Sequence, residues 1–187
     1  MKKTFTMMAL VAAVLCSCSK YEVGKTATDK LAGDWMCTVY YADEGAWVPD
    51  APASYRTYNS AANVPSEIWL DDQKSYWGTK VKLDASNSAM TFGERGKEYL
   101  NNYNGVAQII WDGKVTMDAA VAPGSGTKCD KIEFFIAFSN DDPTAYASVY
   151  YVVGYRATGF PEDDSEPSLE WELPAVPEIP AITKPLE

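Results

Sequence analysis

The chain has 187 residues, 26 acidic side chains against 16 basic ones, and no histidine. A formal charge of −10 gives no electrostatic footprint for nucleic acid, so we predict no nucleic-acid partner. Without an imidazole, Ser-His-Asp and Cys-His nucleophile systems and His-ligated zinc are excluded. We predict no metal and no cofactor.

The N-terminus has the pattern of an export signal. Lys2 and Lys3 precede an apolar run over residues 7–15, which is too short to span a bilayer. Leu15 and Ser17 precede Cys18 at a spacing that resembles the lipidation site of bacterial lipoproteins. We therefore predict a lipoprotein with a signal peptide over residues 1–17 and an acyl anchor, such as palmitate, on Cys18.

Processing at this point leaves a soluble domain on a membrane anchor. Loss of Lys2 and Lys3 changes the formal charge from −10 to −12, so acyl chains and not basic residues must hold the protein at the membrane. We expect an outer-membrane location, with residues 18–32 as a lipidated tether. Periplasmic and external faces both remain open.

From Gly33 onward, apolar residues recur with a period of two, which is typical of half-buried strands. The alternating positions are Trp35, Cys37, Val39 and Tyr41; Thr79, Val81 and Leu83; and Ile132, Phe134, Ile136 and Phe138. Another strand is predicted over residues 146–158. Cys37 and Cys129 either pair in an oxidising envelope or remain as buried thiols, and the sequence leaves both alternatives open.

Glycine and proline divide these strands. Asp112-Gly113 lies between strand-like runs at 107–111 and 114–121 and predicts a hairpin, because a type I′ turn needs positive φ at both central residues. Residues 43–65 contain three prolines and predict long loops around a short strand at 54–58.

About eight strands without a long amphipathic helix predict an all-β, antiparallel fold over residues 33–160, either a sandwich or an up-and-down barrel, and we favour the barrel. Barrel closure also removes exposed sheet edges. Residues 161–187 contain six prolines and eight acidic residues and predict an extended acidic tail. Within it, alternating Leu169, Trp171 and Leu173 suggest an added edge strand.

Gly33-x-Trp35 at the start of the first strand, with Arg156 near the end of the last, resembles the lipocalin (calycin) signature. The resemblance implies a barrel closed at one end by Trp35, with Arg156 packed across its ring. Lipocalins usually place a helix after the last strand, whereas the proline-rich segment here predicts none.

Four further segments resemble the bacterial lipoprotein family known as lipid-binding putative hydrolases. They are residues 58–63, 68–72, 76–80 and 155–160. The resemblance implies a lipocalin-like barrel, lipid binding and hydrolysis, but it supplies no defined catalytic set. Whether the chain is an enzyme stays open, with a binding protein favoured and no catalytic residue assigned.

Three functions follow as hypotheses. The first is a barrel that binds a small hydrophobic or lipid-like ligand, since aromatic residues make up 13% of the chain. The second is an interaction lipoprotein with a filled barrel, which contacts protein or glycan through residues 43–65 and the tail. The third is a His-free hydrolase using carboxylates, with Glu67, Asp71, Asp72 and Glu133 as candidates. For the first hypothesis, strand alternation predicts these inward, ligand-contacting residues: Trp35, Val39, Val81, Leu83, Ile110, Phe134 and Ile136.

Overall fold

The structure is a computed structural model that describes residues 25–164 and 169–186. The predicted signal peptide and Cys18 lie outside the described residues. The strands are β1 (Gly33–Asp43), β2 (Ala46–Asn59), β3 (Glu67–Asp71), β4 (Lys80–Ser86), β5 (Thr91–Phe92), β6 (Glu98–Leu100), β7 (Ala107–Val121), β8 (Lys128–Phe138) and β9 (Tyr150–Arg156). A 3-10 helix follows at Pro161–Asp163.

The nine strands form one antiparallel sheet that closes on itself. Their order is β5-β4-β3-β2-β1-β9-β8-β7-β6, and β5 also pairs with β7. This last pairing places Phe92 opposite Gly113 and completes the ring. The predicted all-β barrel is confirmed, with nine strands instead of about eight. β5 and β6 have only two and three residues, too few for a periodic pattern to reveal them.

Side chains that alternate along the strands fill the interior of the barrel. All seven residues predicted to point inward are at most 1% exposed and belong to one core cluster. Large aromatic rings occupy the centre, where Tyr55 and Phe92 meet Phe134 edge to face at centroid distances of 5.3 and 5.8 Å. Edge-to-face contacts of this kind favour a packed core over an empty one.

One end of the barrel is closed where the chain enters it. The guanidinium carbon of Arg156 lies 4.5 Å from the centroid of the Trp35 ring, and its Nε is 2.9 Å from Asp130. The Trp35 indole donates a hydrogen bond to Thr57. Leu31, in the last part of the predicted tether, is fully buried in the core beside them. The tether residues nearest the barrel are therefore packed against it.

The prediction of a long loop before the short strand at 54–58 is wrong, because β2 already begins at Ala46; residues 60–65 lie outside the strands, as predicted. β1 and β2 form a long hairpin in which Pro49 and Pro52 lie opposite Tyr40 and Thr38. β3 pairs only with residues 56–59 of β2, so in the described chain residues 46–55 have no strand on their other side. Prolines are tolerated on such an edge, because the missing N–H breaks no bond of a central ladder.

The prediction of a hairpin at Asp112-Gly113 is also wrong. β7 runs through both residues, and the register against β8 shifts between Trp111 and Lys114, so the extra residue forms a β-bulge. Asp112 adopts a positive φ of 52°, as the first central residue of a type I′ turn would. A Cβ on Gly113 would lie 2.4 Å from the Phe92 ring, so glycine is required for β5 to approach and close the barrel.

An apolar layer also lies outside the barrel, over β7, β8 and β9. Trp111, Phe135 and Tyr151 are buried there against tail residues, which include Trp171 and Leu173. The indole of Trp47 donates a hydrogen bond to the Pro174 carbonyl at 2.7 Å. Over residues 169–186 the tail forms no strand, only an isolated bridge to Lys97. It covers the barrel as irregular chain and not as the suggested edge strand.

Cys37 and Cys129 are buried, free thiols in the described chain. Burial raises the pKa of the Cys37 thiol. The structure therefore favours the interpretation of both residues as small apolar groups over a disulfide.

Candidate functional site

A cavity lies at the end of the barrel opposite the Trp35–Arg156 contact. The loops at 72–79, 101–106 and 139–149 surround it, together with the adjoining ends of three strands. Its volume is about 170 Å³. The lining residues are Trp77, Asn104, Val106, Gln108, Phe138, Asn140, Asp141 and Tyr150.

Three aromatic rings form the apolar wall of this cavity. The Trp77 centroid lies 4.7 Å from that of Phe138 and 4.9 Å from that of Tyr150, both edge to face. Phe138 and Tyr150 are themselves 5.7 Å apart. Each ring therefore braces the other two, and the wall is formed before any ligand arrives.

Trp77 is held in place by the buried carboxylate of Asp72. One oxygen accepts hydrogen bonds from the N–H groups of Lys74 and Thr79, at 2.9 and 2.8 Å. The other accepts from Trp77 and Gly78, at 2.9 and 2.8 Å. Because Asp72 is 0% exposed, these four bonds replace water entirely. Asp72 organises the loop and is not available as a catalytic acid.

Asn101 joins a second loop to the first. Its side-chain carbonyl accepts hydrogen bonds from the N–H groups of Lys80 and Tyr103, and its amide donates to the Gly78 carbonyl. Asn101 is itself buried. The 72–79 and 101–106 loops are thereby fixed to each other as one side of the cavity.

Gln108 and Asp141 supply the polar character of the cavity. Gln108 is 1% exposed, and its amide donates to the Thr79 hydroxyl at 3.3 Å. Its carbonyl oxygen has no hydrogen-bond partner within the described residues. Asp141 accepts a hydrogen bond from the Ser148 N–H at 3.1 Å, and burial raises the pKa of its carboxyl group. A buried acceptor without a donor costs free energy of folding.

None of the seven residues predicted to contact ligand lines this cavity. They lie deeper, in the filled interior, and ligand contact at those positions stays a prediction. The sequence reasoning named Trp77 and Tyr150 among the aromatic residues of a possible ligand cavity, but it missed Asp141, which belongs to a loop, and Gln108, a polar residue on an inward face. The Tyr76-Trp77-Gly78 segment was noted as a family feature, but nothing local showed that it folds over the barrel.

The other carboxylates proposed for hydrolysis also lie outside the cavity. Burial raises the pKa of Asp71, but hydrogen bonds from Gln73, Tyr103, Lys80 and Tyr58 outweigh this and lower it. The pKa of Glu133 is likewise raised by burial and lowered overall by Lys131 and Tyr151. Glu67 is paired with Lys82 at 3.2 Å. Asp71 and Glu133 therefore hold no proton at neutral pH and cannot act as the acid of a carboxylate pair.

An aromatic cluster on the outer face of β2, β3 and β4 surrounds Lys80. Its Nζ lies 5.5 to 5.9 Å from the ring centroids of Tyr58, Trp69 and Tyr103. The same ammonium group is 3.3 Å from Asp71. The ammonium group of Lys80 is thus paired with Asp71, and the three rings are paired with the ammonium group. We therefore interpret the cluster as cross-strand packing.

The family model described as "Lipid-binding putative hydrolase" matches residues 20–161, which is most of the chain and includes the entire cavity. No curated protein matches. Within the described ranges, no helix has the length and apolarity needed to cross a membrane. Those ranges also contain no group of three or more Cys, Asp or Glu side chains placed to bind a metal.

Proposed function

We propose that this chain, which belongs to the lipid-binding putative hydrolase family, is an outer-membrane lipoprotein that binds a small hydrophobic or lipid-like ligand in the cavity at the barrel end. The observation that carries the proposal is the preformed aromatic wall of Trp77, Phe138 and Tyr150 in an otherwise filled barrel. Aromatic walls with a few polar groups are typical of small-molecule sites.

The size of the cavity limits the ligand. A dry cavity of about 150 Å³ holds a benzene molecule, whereas sites for drug-sized ligands occupy about 300–1,000 Å³. At about 170 Å³, the cavity accepts a small amphiphile or the end of a longer one, and not a whole diacyl lipid. Its edge is formed by three loops, so the remainder of a longer ligand would lie outside the barrel.

Replacement of Trp77 by alanine tests the cavity. We expect at least tenfold weaker binding of hexan-1-ol by isothermal titration calorimetry, because Trp77 contacts both other rings of the wall. Trp69→Ala is the matched control, because that half-buried indole stacks on Tyr58 on the outer face. Binding to Trp69→Ala should stay within twofold of the wild type. Equal affinity in both variants, or no binding to the wild type, would contradict the proposal.

The membrane anchor has its own test. We expect Cys18→Ala to remove the acyl mass from the purified protein, as read by intact mass spectrometry, and to release the protein from the membrane fraction. Cys16→Ala, two residues away, should keep both the acyl mass and the membrane location. Retention of the acyl mass by Cys18→Ala would show that another residue carries the anchor.

A further inference from the structure

The 139–149 loop shapes one side of the cavity. Four of the eight lining residues belong to this loop or directly adjoin it. The N–H group of Tyr146 donates to the carbonyl of Phe138 at 2.8 Å. The N–H group of Ser148 donates to the carboxylate of Asp141 at 3.1 Å. Because Phe138 and Asp141 both line the cavity, its shape on this side depends on where Tyr146 and Ser148 are held.

Tyr146 has a strained backbone. Its φ is 57°, in the left-handed region that an aromatic residue rarely adopts. Such a conformation persists only where the surrounding structure fixes it. Here the ring packs against the outer apolar layer, and the hydroxyl group donates a hydrogen bond to the carboxylate of Glu98. These contacts therefore hold the loop in a conformation that its own backbone disfavours.

The carboxylate of Glu98 also binds the end of the tail. One oxygen accepts the hydrogen bond from Tyr146, and the other accepts one from the N–H group of Leu186 at 3.0 Å. The main-chain N–H of Glu98 donates to the carbonyl of Lys184, also at 3.0 Å. Glu98 therefore joins the cavity loop to the C-terminal tail, although β6, the loop and the tail are far apart in the sequence.

The docked tail is less stable than its apolar contacts alone would make it. Leu173 and Ile179 pack on the outer layer together with Trp171. Within the part of the chain that the structure describes, the buried indole N–H groups of Trp111 and Trp171 have no hydrogen-bond partner. Water can satisfy these donors when the tail is released, so their burial opposes docking. Contacts at the tail end, including those of Glu98, oppose this release.

We infer that Glu98 is a positioning residue of the cavity and that, through it, docking of the tail and binding of the ligand stabilise each other. The inference rests on the proposed function, because it concerns the affinity of the same cavity. With the tail docked, Glu98 fixes Tyr146 and with it the loop that carries Asp141. Linkage requires the reverse effect as well: a ligand that favours the ordered loop also favours the docked tail.

Replacement of Glu98 by alanine tests the positioning role in the full-length protein in detergent micelles, with empty micelles as the blank. We expect hexan-1-ol to bind about fivefold more weakly by calorimetry, as is usual for residues that couple two sites. Tyr146→Phe removes only the hydroxyl group that binds Glu98 and should weaken binding to a similar extent. The double variant should bind no more weakly than Glu98→Ala, because both changes break the same link.

The matched control is Glu94→Ala. Glu94 is a carboxylate at the same edge, paired with Lys184 of the tail. An exposed ion pair of this kind contributes little, so hexan-1-ol affinity should stay within about twofold of the wild type. Equal weakening by Glu94→Ala and Glu98→Ala would assign the effect to lost charge at this edge and would overturn the positioning role.

Hydrogen exchange followed by mass spectrometry gives a readout that a purely structural role of Glu98 would not change. The tail end over residues 183–186 has N–H groups bonded to Gly96 and Glu98. Saturating hexan-1-ol should slow their exchange in the wild type, and Glu98→Ala should abolish this slowing. Unchanged exchange in the wild type, or unchanged affinity in Glu98→Ala, would overturn the inference and leave the proposed function standing. A wild type that binds no hexan-1-ol would overturn both.

Discussion

Replacing Asp72 with alanine lowers the free energy of unfolding by about 3–5 kcal/mol, the largest effect we expect from a polar substitution in this protein. Four backbone N–H groups, from Lys74, Trp77, Gly78 and Thr79, lose their acceptor where the carboxylate was 0% exposed. Each buried donor left without a partner costs about 1–3 kcal/mol, and partial entry of water limits the sum. Urea denaturation followed by tryptophan fluorescence measures the change.

The matched control is Asp43→Ala, because Asp43 is an exposed carboxylate at the end of β1. Asp43→Ala should change the free energy of unfolding by no more than about 0.5 kcal/mol. Ligand affinity gives a second measurement for Asp72→Ala: at a temperature where the variant remains folded, hexan-1-ol binding should weaken at least as much as in Trp77→Ala, because the loop that carries Trp77 loses its anchor. A loss below about 1 kcal/mol would show that water replaces the carboxylate at little cost.

Phe134→Ala should lower the free energy of unfolding by about 3–5 kcal/mol, as is usual for a fully buried phenylalanine. Phe134 is 0% exposed, and Tyr55 and Phe92 pack edge-on against its ring. Loss of the ring leaves an apolar void at the centre of the barrel, which we expect to stay dry and to bind benzene or xenon. Thermal and urea unfolding with and without benzene measure both effects.

Phe160→Ala serves as its control, since Phe160 is 47% exposed just before the 3-10 helix. We expect its stability to stay within about 0.5 kcal/mol of the wild type. If Phe134→Ala were equally neutral, the interior would not be the filled core that the structure describes. If it bound hexan-1-ol more tightly than the wild type, the void would have become a second ligand site.

The strand interiors could be predicted because side-chain alternation is a local signal. Trp35, Val39, Phe134 and Ile136 each belong to a run in which every second residue is apolar, and all four are buried. The fold class followed from these runs. β5 has only two residues, which is too short for an alternating pattern to be recognised.

Local signals failed where one backbone conformation serves two structures. A positive φ at Asp112 is compatible with both a hairpin turn and a bulge, and only the pairing of β7 with β5 and β8 decides between them. Proline has the same ambiguity in β2. Pro49 and Pro52 predict loops unless the strand lies at an edge, which is a property of the whole sheet.

The candidate site was harder to predict than the fold because long-range contacts assemble it. Trp77 meets Phe138 and Tyr150, which are more than sixty residues away along the chain. The sequence makes Asp72 a candidate catalytic carboxylate, and only its four amide partners show that it fixes the loop. A polar residue on an inward face, such as Gln108, is the one local sign that the sequence offered.

The filled interior separates the cavity from the far end of the barrel. Trp35, Leu31 and Arg156 close the far end of the barrel, and packed side chains occupy the space between the two ends. A molecule that enters among the three loops must therefore leave by the same route, in the reverse direction. Within the described residues, the barrel offers no passage along its axis. Net transfer of the proposed ligand would then depend on the concentrations of free ligand and of acceptor at this end of the barrel. It would not depend on a path through the protein.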